Sequence, residues 1–213
     1  MKKDEMERRS YQFDVRADKR EDGVNTISGT PIVYSSPTDI GGWFREIIEP
    51  GALDGADLKD VPLLVNHNDR MIPVARSRRN NANSTMRLMI TERGLDFEAY
   101  LDTERNDTAR ALYSAIERKD ITGMSFLFRI KNERWEDLDS DYPTRYIEKF
   151  EAIGEVSAVT HPAYEATAIN VRSKEALDNA RSALESARQQ KGSSVETDAL
   201  ELEKAKFMFR SKF

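Results

Sequence analysis

Short apolar runs separated by turn residues dominate the chain from about residue 26 to residue 173. "TISGTPIVYS" (26–35), "FREIIEPGAL", "PLLVNH", "TMRLMITERGLDFEAYL", "GMSFLFRIK", "TRYIEKFEAI" and "GEVSAVTHPAY" are rich in β-branched and aromatic residues and read as strands. "TERG" (91–94) separates two of them and predicts a hairpin turn at Gly94. One stretch breaks the alternation. "NDTARALYSAIERKD" (106–120) places Ala109, Leu112, Tyr113 and Ile116 at helical spacing, with a cap at Asp107 or Thr108. After Ser173 the period changes again. "KEALDNARSALESARQQ" reads as a helix with a narrow stripe of Leu177, Ala180, Leu184 and Ala187, suited to docking. "KGSSVETD" (191–198) is a flexible break, and "ALELEKAKFMFRSKF" is a second helix candidate. The pattern predicts a mainly β protein with helices (α+β). It comprises a charged, flexible arm over 1–22, a β-rich domain over 23–173 and a helical tail over 174–213.

Composition narrows the chemistry. Of 213 residues, 33 % are charged and 38 % apolar, with a formal net charge of −5, which argues against a dedicated nucleic-acid binder. No apolar run is long enough to cross a bilayer, and "MKKDEMERRS" lacks an apolar signal region, so a cytoplasmic setting is expected. The absence of cysteine excludes disulfides, thiolate metal sites and a cysteine nucleophile. With only two histidines, a metal-dependent hydrolase would need His67, Asp69, His161 and glutamates together, and no HExxH-type spacing is present. No metal and no cofactor are expected.

Two strands then stand out. In "ITGMSFLFRI" (121–130), alternation places Met124, Phe126, Phe128 and Ile130 on one face and Ser125 on the other, with Leu127 and Arg129. A serine there is either an ordinary outward strand residue or a nucleophile, and a nucleophile needs an imidazole to take its proton. Only His67 and His161 supply one. His67 ends "LLVNH", where alternation puts it on the face of Leu63 and Val65. His161 stands immediately before Pro162 in "GEVSAVTHPAY", where Glu155, Ser157, Val159 and His161 share a face.

The segments "ISGTPIVYSSPTDIGGWFREIIEPGAL", "DVPLLVNHND", "ITGMSFLFRI" and "EVSAVTHPAYEATAI", in this order, resemble the caudoviral prohead serine proteases, the capsid-maturation proteases of tailed bacteriophages. The resemblance covers about residues 26–173. It implies an assemblin-like β-barrel protease domain followed by the helical tail, with Ser125 as nucleophile and His67 as general base. For the third member it favours Glu155, with His161, Glu151 and Glu148 as alternatives. It also implies a substrate among capsid and scaffold proteins, self-cleavage, a homodimer, and action inside the procapsid in the host cytoplasm, with no membrane and no specific nucleic acid as partner. The tail then serves as a targeting or scaffold-like segment. Arg76 in "PVARSRR" reads as part of a solvated basic turn rather than an oxyanion donor. The competing reading is a non-enzymatic capsid scaffold or assembly protein that keeps the protease fold.

Overall fold

A computed structural model describes residues 6–12, 15–160 and 178–192. The strands are β1 (Glu7–Gln12), β2 (Arg16–Lys19), β3 (Asn25–Val33), β4 (Thr38–Ile40), β5 (Phe44–Ile48), β6 (Val61–Val65), β7 (Ala75–Ser77), β8 (Met86–Thr91) and β9 (Gly94–Leu101). The helix α1 (Asp107–Glu117), the strands β10 (Gly123–Glu136) and β11 (Thr144–Val159), and the helix α2 (178–192) complete the described chain. No helix among the described residues is long and apolar enough to cross a membrane.

The strands form two sheets. One has seven strands in the order β1-β10-β11-β5-β4, with β6 beside β11 and β7 beside β6; the other runs β2-β3-β9-β8. The long strand β11 organises the first sheet. Its start pairs in parallel with β5, and its end pairs in parallel with β6, through Val156–Leu63, Ser157–Leu64 and Ala158–Val65. Because its two halves take different neighbours, the sheet branches. The implied barrel is therefore not seen as a closed sheet: among the described strands both sheets end in edges, β1, β4 and β7 in one, β2 and β8 in the other.

Alternation decides what is buried. Met124, Phe126 and Phe128 of β10 reach a core with Phe150, Ile153 and Val156 of β11, Leu63 of β6, and Ile27, Ile32, Leu95 and Phe97 of the second sheet. Phe126 and Phe128 each meet the Phe150 ring at a steep angle, with centroids 6.3 and 5.3 Å away. α1 closes the second sheet with Ala109, Leu112 and Ile116 buried, the stripe read from the sequence. Its cap lies one residue earlier than expected. Asn106 accepts from the Thr108 and Ala109 amides at 3.0 and 3.2 Å, since only the residue before the first helical turn can reach them. The "TERG" turn is as expected, with Gly94 at φ +146°. A side chain there would meet the Ile32 carbonyl oxygen at 1.9 Å.

One feature differs from the sequence reading. The charged stretch 1–22 contributes β1 and β2 rather than a frayed arm. For β2, Val15 and Ala17 pack on the core; for β1 the reason is ionic. Arg9 of β1 donates to both carboxylate oxygens of Glu46, at 2.6 and 2.7 Å. Arg145 bridges Glu46 (3.1 Å), Glu7 (2.8 Å) and Glu133 (2.9 Å). The tail helix docks, as its stripe suggests. Ala180 and Leu184 of α2 are buried against Ile40 and Phe44, with Trp43, Trp135 and Leu138 alongside. The expected break at 191–198 overlaps the end of α2 and, with the second tail helix, otherwise lies outside the described residues.

Candidate active site

The site face of the first sheet is the one turned away from the phenylalanines. Ser125 of β10 lies opposite Ser157 of β11, and Leu127 lies opposite Glu155, so directly paired residues place Ser125, Ser157 and Glu155 on one face. Ser125 and Ser157 are fully buried and Glu155 nearly so.

β6 lies on the far side of β11 and delivers His67. After Val65 the chain takes two left-handed residues, Asn66 at φ +52° and His67 at φ +56°. Asparagine tolerates that region better than most residues. Its side chain also holds the turn: Asn66 Oδ1 accepts from the Thr160 amide at 3.0 Å and from the Thr160 hydroxyl at 3.2 Å. Two left-handed residues end the strand's alternation. His67 accordingly leaves the face of Leu63 and Val65, where alternation had put it, and its Nδ1 meets Glu155 Oε1 on the other face. Ser157 Oγ donates to the same oxygen at 3.2 Å. His67 Nε2 is buried and makes no hydrogen bond.

Ser125 is engaged elsewhere. Its Oγ donates to the Arg9 carbonyl at 2.7 Å and accepts from Ser10 Oγ at 2.8 Å, both on β1. Among the described residues no hydrogen bond joins it to His67. Strands spaced about 4.8 Å apart put β6 and β10 about 10 Å from each other. An imidazole that serves Ser125 must therefore lean across β11, the strand that carries Glu155.

The other candidates lie apart from this cluster. Glu148 accepts from Arg134 Nε at 3.3 Å, and Glu151 is exposed, 3.7 Å from Arg129. His161 lies outside the described residues. Arg76 donates to Asp60 at 2.6 and 2.7 Å on the surface. Asp69 is exposed, and no group of three or more metal-ligating side chains occurs among the described residues. Sequence reasoning missed Arg9 and Ser10, because no apolar pattern marks "ERRSYQ" as a strand. It also missed Asn66, although an asparagine just beyond an apolar run is a recognisable signal for a left-handed turn.

A hydroxyl, an imidazole and a carboxylate carried by adjacent strands of one sheet are the side chains a serine hydrolase requires. The comparisons give this class its family. The family model described as caudovirus prohead serine protease matches residues 11–182, and the chain belongs to that family. Ser125, His67 and Glu155 all fall within the matched stretch. No curated protein matches the chain. Among solved structures, that of the bacteriophage T4 capsid assembly protease, gp21, is similar at 12 % identity and a TM-score of 0.38. The match covers 72 % of this chain and 98 % of that one.

Proposed function

We propose that this chain is the serine endopeptidase of a tailed bacteriophage that cuts capsid or scaffold protein, and itself, inside the procapsid during head maturation. Ser125 is the nucleophile, His67 the general base and Glu155 the third member. One observation carries the assignment. His67 turns out of its strand to meet Glu155 on the face that holds Ser125, in a chain of the prohead protease family.

The chemistry follows from the two ring nitrogens. Glu155 accepts the Nδ1 proton of His67, which leaves Nε2 as the acceptor. Ser125 Oγ attacks the scissile carbonyl carbon and its proton passes to Nε2; Glu155 stabilises the imidazolium that forms. The imidazolium then protonates the leaving amine. Water, deprotonated by the same nitrogen, hydrolyses the acyl-serine. Before the first step Ser125 must exchange its hydrogen bond to the Arg9 carbonyl for one to His67.

The homodimer, the assemblin-like fold, a protease domain over 23–173 to which β1 and β2 are added, and the tail over 174–213 as a scaffold-directed segment belong to the same proposal. Co-expression with the phage's own capsid and scaffold proteins tests it. Wild type should release processed capsid subunits, while Ser125→Ala and His67→Ala, with unchanged circular dichroism, should leave them whole. Processing that persists in Ser125→Ala overturns the nucleophile. Intact subunits with wild type, in particles that still assemble, favour the scaffold reading.

A further inference from the structure

The edge of the nucleophile's strand is filled by the chain's own N-terminal segment. β1 runs antiparallel to β10, with Ser10 directly opposite Ser125. The Arg9–Ser10 peptide lies against the Ser125 hydroxyl, which bonds to the Arg9 carbonyl oxygen and to the Ser10 side chain. An extended peptide added to a sheet edge is held by its main chain and selected through alternate side chains. β1 has both properties. Most of it, Glu7–Ser10, precedes the stretch 11–182 that matches the family, whereas the site residues lie inside it.

The alternate side chains of β1 enter defined places. Arg9 passes to the core side, nearly buried, with its guanidinium 5.3 Å from the centre of the Phe128 ring. Its fork takes both oxygens of Glu46, itself 1 % exposed. That bidentate geometry matches arginine and not lysine. On the opposite side, Met6 occupies the space beside Gly154, where an added Cβ would stand 2.4 Å from its Cε. Gly154 falls at the register shift of β10 on β11, so a missing side chain on β11 makes the place that Met6 fills.

From this geometry we infer that β1 occupies the cleft as a substrate strand does. The edge of β10 is where the substrate docks. Glu46 selects an arginine at the residue whose carbonyl faces Ser125, and Gly154 leaves room for a long apolar side chain three residues before it. The substrate class is thus an extended peptide of the form apolar-x-x-Arg, cut after the arginine. In the chemistry written above, the arginine becomes the acyl group and the next residue's amine departs. The chain is masked until β1 leaves. This inference rests on Ser125 being the nucleophile.

A fluorophosphonate that labels reactive serines reads the mask in the full chain, with Ser125→Ala identifying the labelled site. Arg9→Glu sets a third carboxylate beside Glu46 and Glu7, and Ser10→Pro deletes the hydroxyl that donates to Ser125 Oγ and pulls φ away from the strand value. Either change should speed labelling of Ser125 at least tenfold. Added to Arg9→Glu, the peptide DEMERRSYQF (residues 4–13) should slow labelling at least fivefold, and the same peptide carrying Arg9→Leu should not. Equal rates in wild type and both variants overturn the mask while leaving Ser125 as nucleophile. Equal protection by the two peptides overturns selection by Glu46. No labelling of Ser125 in any folded variant overturns the nucleophile itself, and the inference with it.

Discussion

At His67 the two ring nitrogens have opposite surroundings: Nδ1 faces a carboxylate, and Nε2 is buried with nothing bonded to it. If that asymmetry sets the tautomer, removing the charge of Glu155 while keeping its shape should disable the base. Glu155→Gln is expected to lower the rate of capsid-protein cleavage about 10²- to 10⁴-fold with the melting curve little changed. Glu148→Gln and Glu151→Gln should stay near wild type, because their carboxylates face Arg134 and Arg129 instead. Comparable losses in all three would remove Glu155 from the site. The turn that aims His67 is a second residue-scale test. Asn66→Val puts a branched side chain at a left-handed φ and deletes both bonds to Thr160. It should cost about 2–3 kcal/mol in thermal or denaturant unfolding, and Asn66→Gly, which suits that φ, about 1 kcal/mol. Equal costs would show that the left-handed backbone is not what Asn66 supports. These residues also show how far alternation reads a site. The face of Ser125 was legible because β10 is regular from Gly123 to Leu127, so the buried face of Met124 and Phe126 fixed the other. The direction of His67 was not, because two left-handed residues intervene and alternation ends where the strand does.

β11 and the ion cluster decide the arrangement of elements. One long strand places β6 and β10 on its two sides, and Arg145 near its start ties β1, β5 and β10 together through Glu7, Glu46 and Glu133. Buried ion pairs are costly to break from one side, because the remaining charge stays in a medium that solvates it poorly. Glu46→Ala takes a buried partner from both Arg9 and Arg145 and leaves the two to share Glu7. It should destabilise the fold by about 3–5 kcal/mol in denaturant unfolding. Arg76→Ala breaks the exposed pair with Asp60 and should cost under about 1 kcal/mol. Similar values for the two would mean that the cluster is solvated and does not hold the sheet. The same contrast explains which elements the sequence announced. β3, β6, β8, β9, β10 and β11 bury apolar side chains and carry that alternation openly, as does the stripe of α1. β1 is held through Arg9 and Glu7, so its burial is written in charges, and a reading of apolar positions assigns it to solvent. α2 was legible as a docking stripe, although the strip of Ile40, Phe44 and Trp135 that it covers comes from two segments far apart in the chain, the β4–β5 hairpin and β10.

Across the whole molecule, the same cluster links the fold to the state of the site. Five charged side chains, Glu7, Arg9, Glu46, Glu133 and Arg145, hold the strand that covers Ser125, and Glu7 and Arg9 of that strand both belong to the cluster. Burial alone would raise the Glu7 carboxyl, but the guanidinium groups of Arg145 and Arg9 outweigh it and lower it from 4.5 to about 2. A carboxyl with a depressed folded value contributes stability that is complete above its unfolded value and is lost as pH falls toward the folded one. For Glu7 the window therefore runs from 4.5 down to about 2. Protonation there removes a charge from β1 while Arg145 stays charged, so acid should loosen the N-terminal strand. Denaturant unfolding across that window should show wild-type stability falling with decreasing pH. Glu7→Gln, which lacks the charge at every pH, should start lower at neutral pH and show a shallower fall. Arg145 sits 5.6 Å from the centre of the Trp135 ring, so tryptophan emission gives a local reading of the same event. The emission change should follow the wild-type acid transition and be absent or reduced in Glu7→Gln. Identical slopes for the two proteins would place the acid sensitivity outside the cluster and separate the anchoring of β1 from its charges.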